Sequence, residues 1–94
     1  MTDSTAPQAL VTVYSSDYCP YCIMAKRLLG RLSVEFTEIV VDAAPDKRRE
    51  MQQLGGGHTV PQIFIGDQPI GGSDDLHALE SRGRLNTLLY PPAD

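Results

Sequence analysis

A short β-branched run, Leu10–Tyr14, gives way to the polar turn Ser15–Tyr18, then to a helical pattern opened by Pro20, then to a second β-branched run, Glu35–Val41. This arrangement constrains the fold most. Parallel neighbours need a crossover, and one helix of this length supplies it, so the two strands are expected side by side and parallel. The helix is read from Cys22, Ala25, Leu28, Leu29 and Leu32, which recur on one face while Lys26, Arg27 and Arg31 fall off it. Pro20 suits the first helical position, where a backbone N–H would lack a partner in any case. The cations crowd the C-terminal half, which the helix dipole favours.

The rest of the chain extends this unit. Asp46–Leu54 reads as a second helix, with Pro45 before it and Gly55-Gly56-Gly57 ending it. Gln62–Ile65 and Gln68–Ile70 read as strands joined by the two-residue turn Gly66-Asp67. Gly71-Gly72 leads into a third helix, Ser73–Arg82, and a last helical turn covers Arg84–Leu89. The order β-α-β-α-β-β-α predicts an α/β fold, a four-stranded mixed β-sheet with helices on both faces. Residues 1–94 are expected to form a single domain with a core of about 9–90 and short polar tails, Met1–Gln8 and Pro91–Asp94.

Charge narrows the function. A net charge of −4 argues against a nucleic-acid binder and against a surface drawn to anionic membranes. The first nine residues lack Lys, Arg and an apolar signal-peptide core. No apolar stretch approaches the length of a membrane span. A cytoplasmic monomer is the expectation.

The chain has two cysteines, Cys19 and Cys22. A disulfide scaffold of this size would carry several, widely spaced. One close pair points to redox or metal chemistry instead. Its place, between a strand and a helix, has a consequence. The first N–H groups of a helix lack partners and carry partial positive charge, so a thiolate on Cys19 is stabilised. Its pKa is expected in the range ~3.5–7.5. Cys22 lies on the core stripe and is expected buried as a thiol. A lower pKa raises the thiolate fraction but lowers intrinsic nucleophilicity, with a Brønsted slope of roughly 0.45, so attack gains little. Departure gains more, because low-pKa thiols leave faster. Such a cysteine suits repeated capture and release of a sulfur partner.

Zinc is the rival chemistry for this spacing. A structural site needs about four ligands. Beyond the two cysteines the chain offers only His58 and His77, too far apart for a finger, with His77 expected on an exposed helix face. No metal site is expected.

Two further segments could serve a ligand. In Thr59-Val60-Pro61, the proline forces Val60 into extended geometry, and such a backbone can pair with a peptide as an added strand. A strand-entry proline is the plainer reading. Gly71-Gly72-Ser73-Asp74-Asp75 opens a helix whose bare glycines and free N–H groups suit a carboxylate. Ser73 also reads as an N-cap, with two acids in the first turn.

Cys-Pro-Tyr-Cys, then Thr-Val-Pro-Gln-Ile-Phe-Ile, then Ile-Gly-Gly-x-Asp-Asp-Leu, in this order and spacing, resemble a dithiol glutaredoxin from about Val11 to Leu89. The resemblance implies a thioredoxin-like fold with Pro61 in the cis form. It implies glutathione as co-substrate, held in a groove by Tyr21, Thr59, Val60, Pro61, Gly72, Ser73 and Asp74. It implies catalysis by Cys19 and Cys22 on glutathionylated or disulfide-containing proteins. The family often carries Lys at the position of Ser16, and Arg48 or Arg49 are the candidate substitutes near the glutathione carboxylate. Three other classes share parts of this pattern. A redoxin served by thioredoxin reductase would carry a C-terminal signature with Trp, which this chain lacks. An iron–sulfur carrier tends to have Gly or Ser at Pro20 or Cys22. A permanent structural bond would resist mild reductant, whereas a working pair sits near ~−200 to −230 mV.

Overall fold

The computed structural model describes residues 8–55 and 57–91. The tails, apart from Gln8 and Pro91, and Gly56 of the expected glycine stop lie outside the described residues. Strands β1 (Val11–Ser15), β2 (Thr37–Val40), β3 (Gln62–Ile65) and β4 (Gln68–Gly71) form one sheet in the order β2-β1-β3-β4. The β1–β2 pair is parallel, as the crossover requires, and the other two pairs are antiparallel. Helices α1 (Pro20–Arg31), α2 (Pro45–Gln53), α3 (Ser73–Ser81) and α4 (Leu85–Leu89) flank it.

Strand alternation divides the core into two layers. Val11 and Val13 of β1 and Ile63 and Ile65 of β3 face Ala25, Leu28 and Leu29 of α1, Leu76 of α3, and Leu85 and Leu89 of α4. Tyr14 and Phe64, one residue out of phase, face Val41, just past β2, and Met51 of α2. Every residue of β3 is buried, so this strand is covered on both faces.

Most element limits fall within one or two residues of the sequence expectation, and two differences have a visible cause. The second strand begins at Thr37 rather than Glu35. The Glu35 N–H donates to Gln8 Oε1 at 2.9 Å, and Gln8 Nε2 donates to the Glu35 carbonyl at 2.6 Å. A side chain thus occupies the backbone groups that a ladder would have used. At α3, Gly72 is the N-cap and Ser73 is the first helical residue, so Ser73 does not cap. The Asp75 carboxylate does that work instead, accepting the Gly72 N–H at 3.0 Å.

Candidate active site

The loop from β1 to α1 is anchored before it reaches Cys19. Ser15 is fully buried, and its hydroxyl donates to Glu38 Oε2 at 2.6 Å. Ser16 donates to Asp42 Oδ1 at 2.6 Å, and the Asp17 N–H donates to Asp42 Oδ2 at 2.8 Å. Both oxygens of Asp42 therefore hold the loop. These bonds, the Ser16 hydroxyl first and the Asp17 amide second, keep the Asp42 carboxyl below its ordinary pKa. Glu38 is likewise lowered, chiefly by the Lys26 ammonium at 2.7 Å and then by Ser15. Tyr18 then takes a left-handed conformation, with φ of 59°, and the chain enters α1.

Cys19 is the N-cap of α1, in extended geometry, with Pro20 next at the first helical position. The Cys22 N–H points at Cys19 Sγ from 3.1 Å. Cys19 and Cys22 are joined as a disulfide across a Cα–Cα distance of 5.2 Å. Their exposure differs. Cys22 is 1% exposed, whereas Cys19 is partly open to solvent. An incoming sulfur can reach Cys19 and not Cys22, so the two cysteines cannot exchange roles.

The Val60–Pro61 bond is cis, and the Val60 carbonyl lies 3.9 Å from Cys19 Sγ. The β3 ladder begins at Gln62, so the backbone of Val60 stands outside the sheet beside the sulfur. Gly72 lies against the same loop, because a Cβ there would sit 3.5 Å from the Pro61 carbonyl. Gly71 has φ of +112° and faces the Asp75 carboxylate, which leaves no room for a side chain. Together these segments wall an open groove of about 320 Å³.

All seven residues that the resemblance assigns to glutathione, namely Tyr21, Thr59, Val60, Pro61, Gly72, Ser73 and Asp74, line this groove. Gln62, Gly71 and Asp75 line it as well and were not assigned. Gln62 reads as an ordinary strand residue, yet its amide turns back to the Thr59 carbonyl at 3.0 Å and braces the loop. Its signal was its place directly after the Val-Pro pair. Arg48 and Arg49 do not line the groove. Arg48 donates to the His58 carbonyl at 3.1 Å and steadies the loop from behind, and Arg49 is exposed.

His77 is half-buried rather than exposed, and its Nδ1–H donates to the Ser73 carbonyl at 2.8 Å. Among the described residues no group of three or more His, Cys, Asp or Glu is arranged to hold a metal ion. A second hollow, of about 220 Å³, lies at the far end of α1 among Leu32, Val34, Leu85 and Leu89, away from both cysteines.

Comparison with known proteins gives one answer. The Glutaredoxin family model matches residues 11–70. A glutaredoxin of Pseudomonas aeruginosa is 52% identical over 79 residues, covering 84% of this chain and 94% of that protein. The solution structure of glutaredoxin from Brucella melitensis superposes with a TM-score of 0.78 at 48% identity, covering 90% of this chain and 92% of that one. The crystal structure of a buckwheat glutaredoxin–glutathione complex superposes with a TM-score of 0.76 at 33% identity, covering 84% of this chain and 74% of that one.

Proposed function

The chain belongs to the glutaredoxin family of glutathione-dependent thiol–disulfide oxidoreductases, and we propose that Cys19 is the nucleophile of its cycle and Cys22 the resolving thiol. The observation that carries this assignment is the asymmetry of the pair. Cys19 is accessible and receives the Cys22 N–H at a helix N-terminus, while Cys22 is sealed in the core.

The Cys19 thiolate attacks the glutathione sulfur of a glutathionylated protein. The S–S bond of the mixed disulfide breaks, and the protein sulfur leaves and takes a proton. A second glutathione thiolate then attacks the Cys19 adduct, releasing oxidised glutathione and restoring the Cys19 thiolate. With a protein disulfide, Cys19 forms a mixed disulfide with the protein, and Cys22 displaces it to give the Cys19–Cys22 bond. Two glutathione molecules reduce that bond and become one oxidised glutathione. No electrons pass to any other carrier.

Glutathione lies in the groove. The backbone of Val60 pairs with the tripeptide as an added strand. The N–H groups of Ser73 and Asp74 at the start of α3 receive the γ-glutamyl carboxylate. Tyr21 and Thr59 flank the sulfur, while Pro61 and Gly72 keep the walls bare enough for close approach. The buckwheat relative was crystallised with glutathione, which supports this reading of the groove.

Residues 1–94 act as one glutaredoxin domain, a monomer working in the cytoplasm. The single redox pair suits a reducing compartment. Among the described residues no helix is long and apolar enough to cross a membrane.

The test is glutathione-coupled reduction of a glutathionylated substrate by wild type, Cys19→Ser and Cys22→Ser. Cys22→Ser is expected to keep deglutathionylation and to lose protein-disulfide reduction. Cys19→Ser is expected to lose both. Activity surviving in Cys19→Ser would overturn the assignment.

A further inference from the structure

Tyr18 is the most exposed large hydrophobic residue among the described residues, at 100%, and it immediately precedes Cys19. It also sits at φ of 59°, a conformation that a bulky residue adopts at a cost. The fold gains nothing from the ring, which touches no core residue. The backbone beneath it is nevertheless rigidly held. Asp42 binds Ser16 and Asp17 on one side, and α1 begins on the other. The result is an aromatic ring held out into solvent beside the nucleophile, on an anchored loop.

The groove assigned to glutathione does not include Tyr18. During attack on a mixed disulfide, the glutathionyl half occupies that groove, and the departing polypeptide must lie outside it. Met24 of α1, which does not line that groove, is also open, at 46%. Asp17, exposed and next to Tyr18, adds a negative charge. An aromatic face beside a carboxylate attracts a cation.

On the reading of the groove given above, we propose that Tyr18 is a specificity-determining residue for the protein half of the substrate. Its ring packs on the polypeptide around the glutathionylated cysteine and favours Lys or Arg there. Small mixed disulfides have nothing to offer it. Protein substrates therefore gain a contact that small ones lack, and the left-handed backbone holds the ring ready to make it.

The experiment compares wild type, Tyr18→Ala and Tyr18→Phe on three probes. These are a glutathionylated peptide with lysines flanking the cysteine, the same peptide with glutamates, and the mixed disulfide of glutathione with a small thiol. The readout is the ratio of kcat/KM for each peptide to that for the small disulfide. Tyr18→Ala is expected to lower the ratio about fivefold for the lysine peptide, mainly through KM, and less for the glutamate peptide. Tyr18→Phe is expected to keep it. A ratio unmoved by Tyr18→Ala overturns the proposal. So does an equal loss on all three probes, which would mean that Tyr18 only positions Cys19. Tyr18→Gly, whose backbone accepts the positive φ, guards against misfolding, and it too must lower the ratio. Failure of the wild type on the small disulfide would instead overturn the groove assignment itself.

Discussion

Tyr14 is buried under α2 and its hydroxyl donates to Glu50 Oε2 at 2.6 Å. Burial first, and then the Glu50 carboxylate, push the Tyr14 hydroxyl up to about 12. The same bond, accepted by Glu50, holds that carboxyl below its ordinary value. The signs define a window. The raised Tyr14 stabilises the fold fully below its unfolded pKa of ~10, and the benefit is lost as pH rises through about 12. The lowered Glu50 stabilises it above an unfolded pKa of ~4.3, and that benefit is lost as pH falls through its folded value. The chain has four tyrosines. In a spectroscopic titration of tyrosinate, a step near pH 12 is expected from Tyr14. Tyr14→Phe is expected to delete that step and leave the remainder of the curve. A late step that persists in the variant would show that the ring responsible lies elsewhere.

At the scale of elements, two loops meet at Asp42. The β1–α1 loop carries Cys19, the proposed nucleophile, and the β2–α2 loop carries the carboxylate that fixes it. Asp42→Ala frees Ser16 and Asp17 together and lets Cys19 drift from the groove. Misplacement of a reacting atom reduces rate without altering what is recognised. The expected outcome is a fall of about tenfold in kcat/KM on small and protein substrates alike. A loss confined to protein substrates would instead place Asp42 with Tyr18 in recognition. Because hydrogen bonding lowers the Asp42 carboxyl, the clamp holds above the usual aspartate range and releases as pH falls through the lowered value. The elements themselves were legible in the sequence, since periodicity, Pro20, Pro45 and the glycines mark their limits. The Cys19–Cys22 pair and the seven groove residues were legible through their motifs and their order. What escaped depends on contacts between distant parts of the chain. Gln8 displaces two residues of the expected β2, Asp75 takes the cap expected of Ser73, and Asp42 from the loop after β2 holds Ser16 and Asp17. No local pattern encodes such meetings.

Across the whole molecule, the two core layers are unequal. The layer under α1, α3 and α4 gathers eleven buried residues, while the layer under α2 has four, Tyr14, Val41, Met51 and Phe64. Met51 is the single buried residue that α2 contributes. Its other ties are polar, through Glu50 to Tyr14 and through Arg48 to the loop before Thr59. The edge of the groove proposed for glutathione therefore hangs on a helix seated by one thioether side chain. Met51→Ala is expected to cost about 2–4 kcal/mol, within the range for emptying a core position. That is a large share of the ~5–15 kcal/mol that holds a domain together. Met24→Ala, at a position 46% exposed, is expected to change stability by less than about 0.5 kcal/mol. Urea unfolding of both variants in the oxidised state isolates packing from the redox bond. Equal midpoints for the two would mean that α2 is held by its polar ties. A lower midpoint for Met51→Ala alone, with an unchanged slope, would mean that the small layer supports the helix and, through Arg48, the loop that carries Val60 to the sulfur.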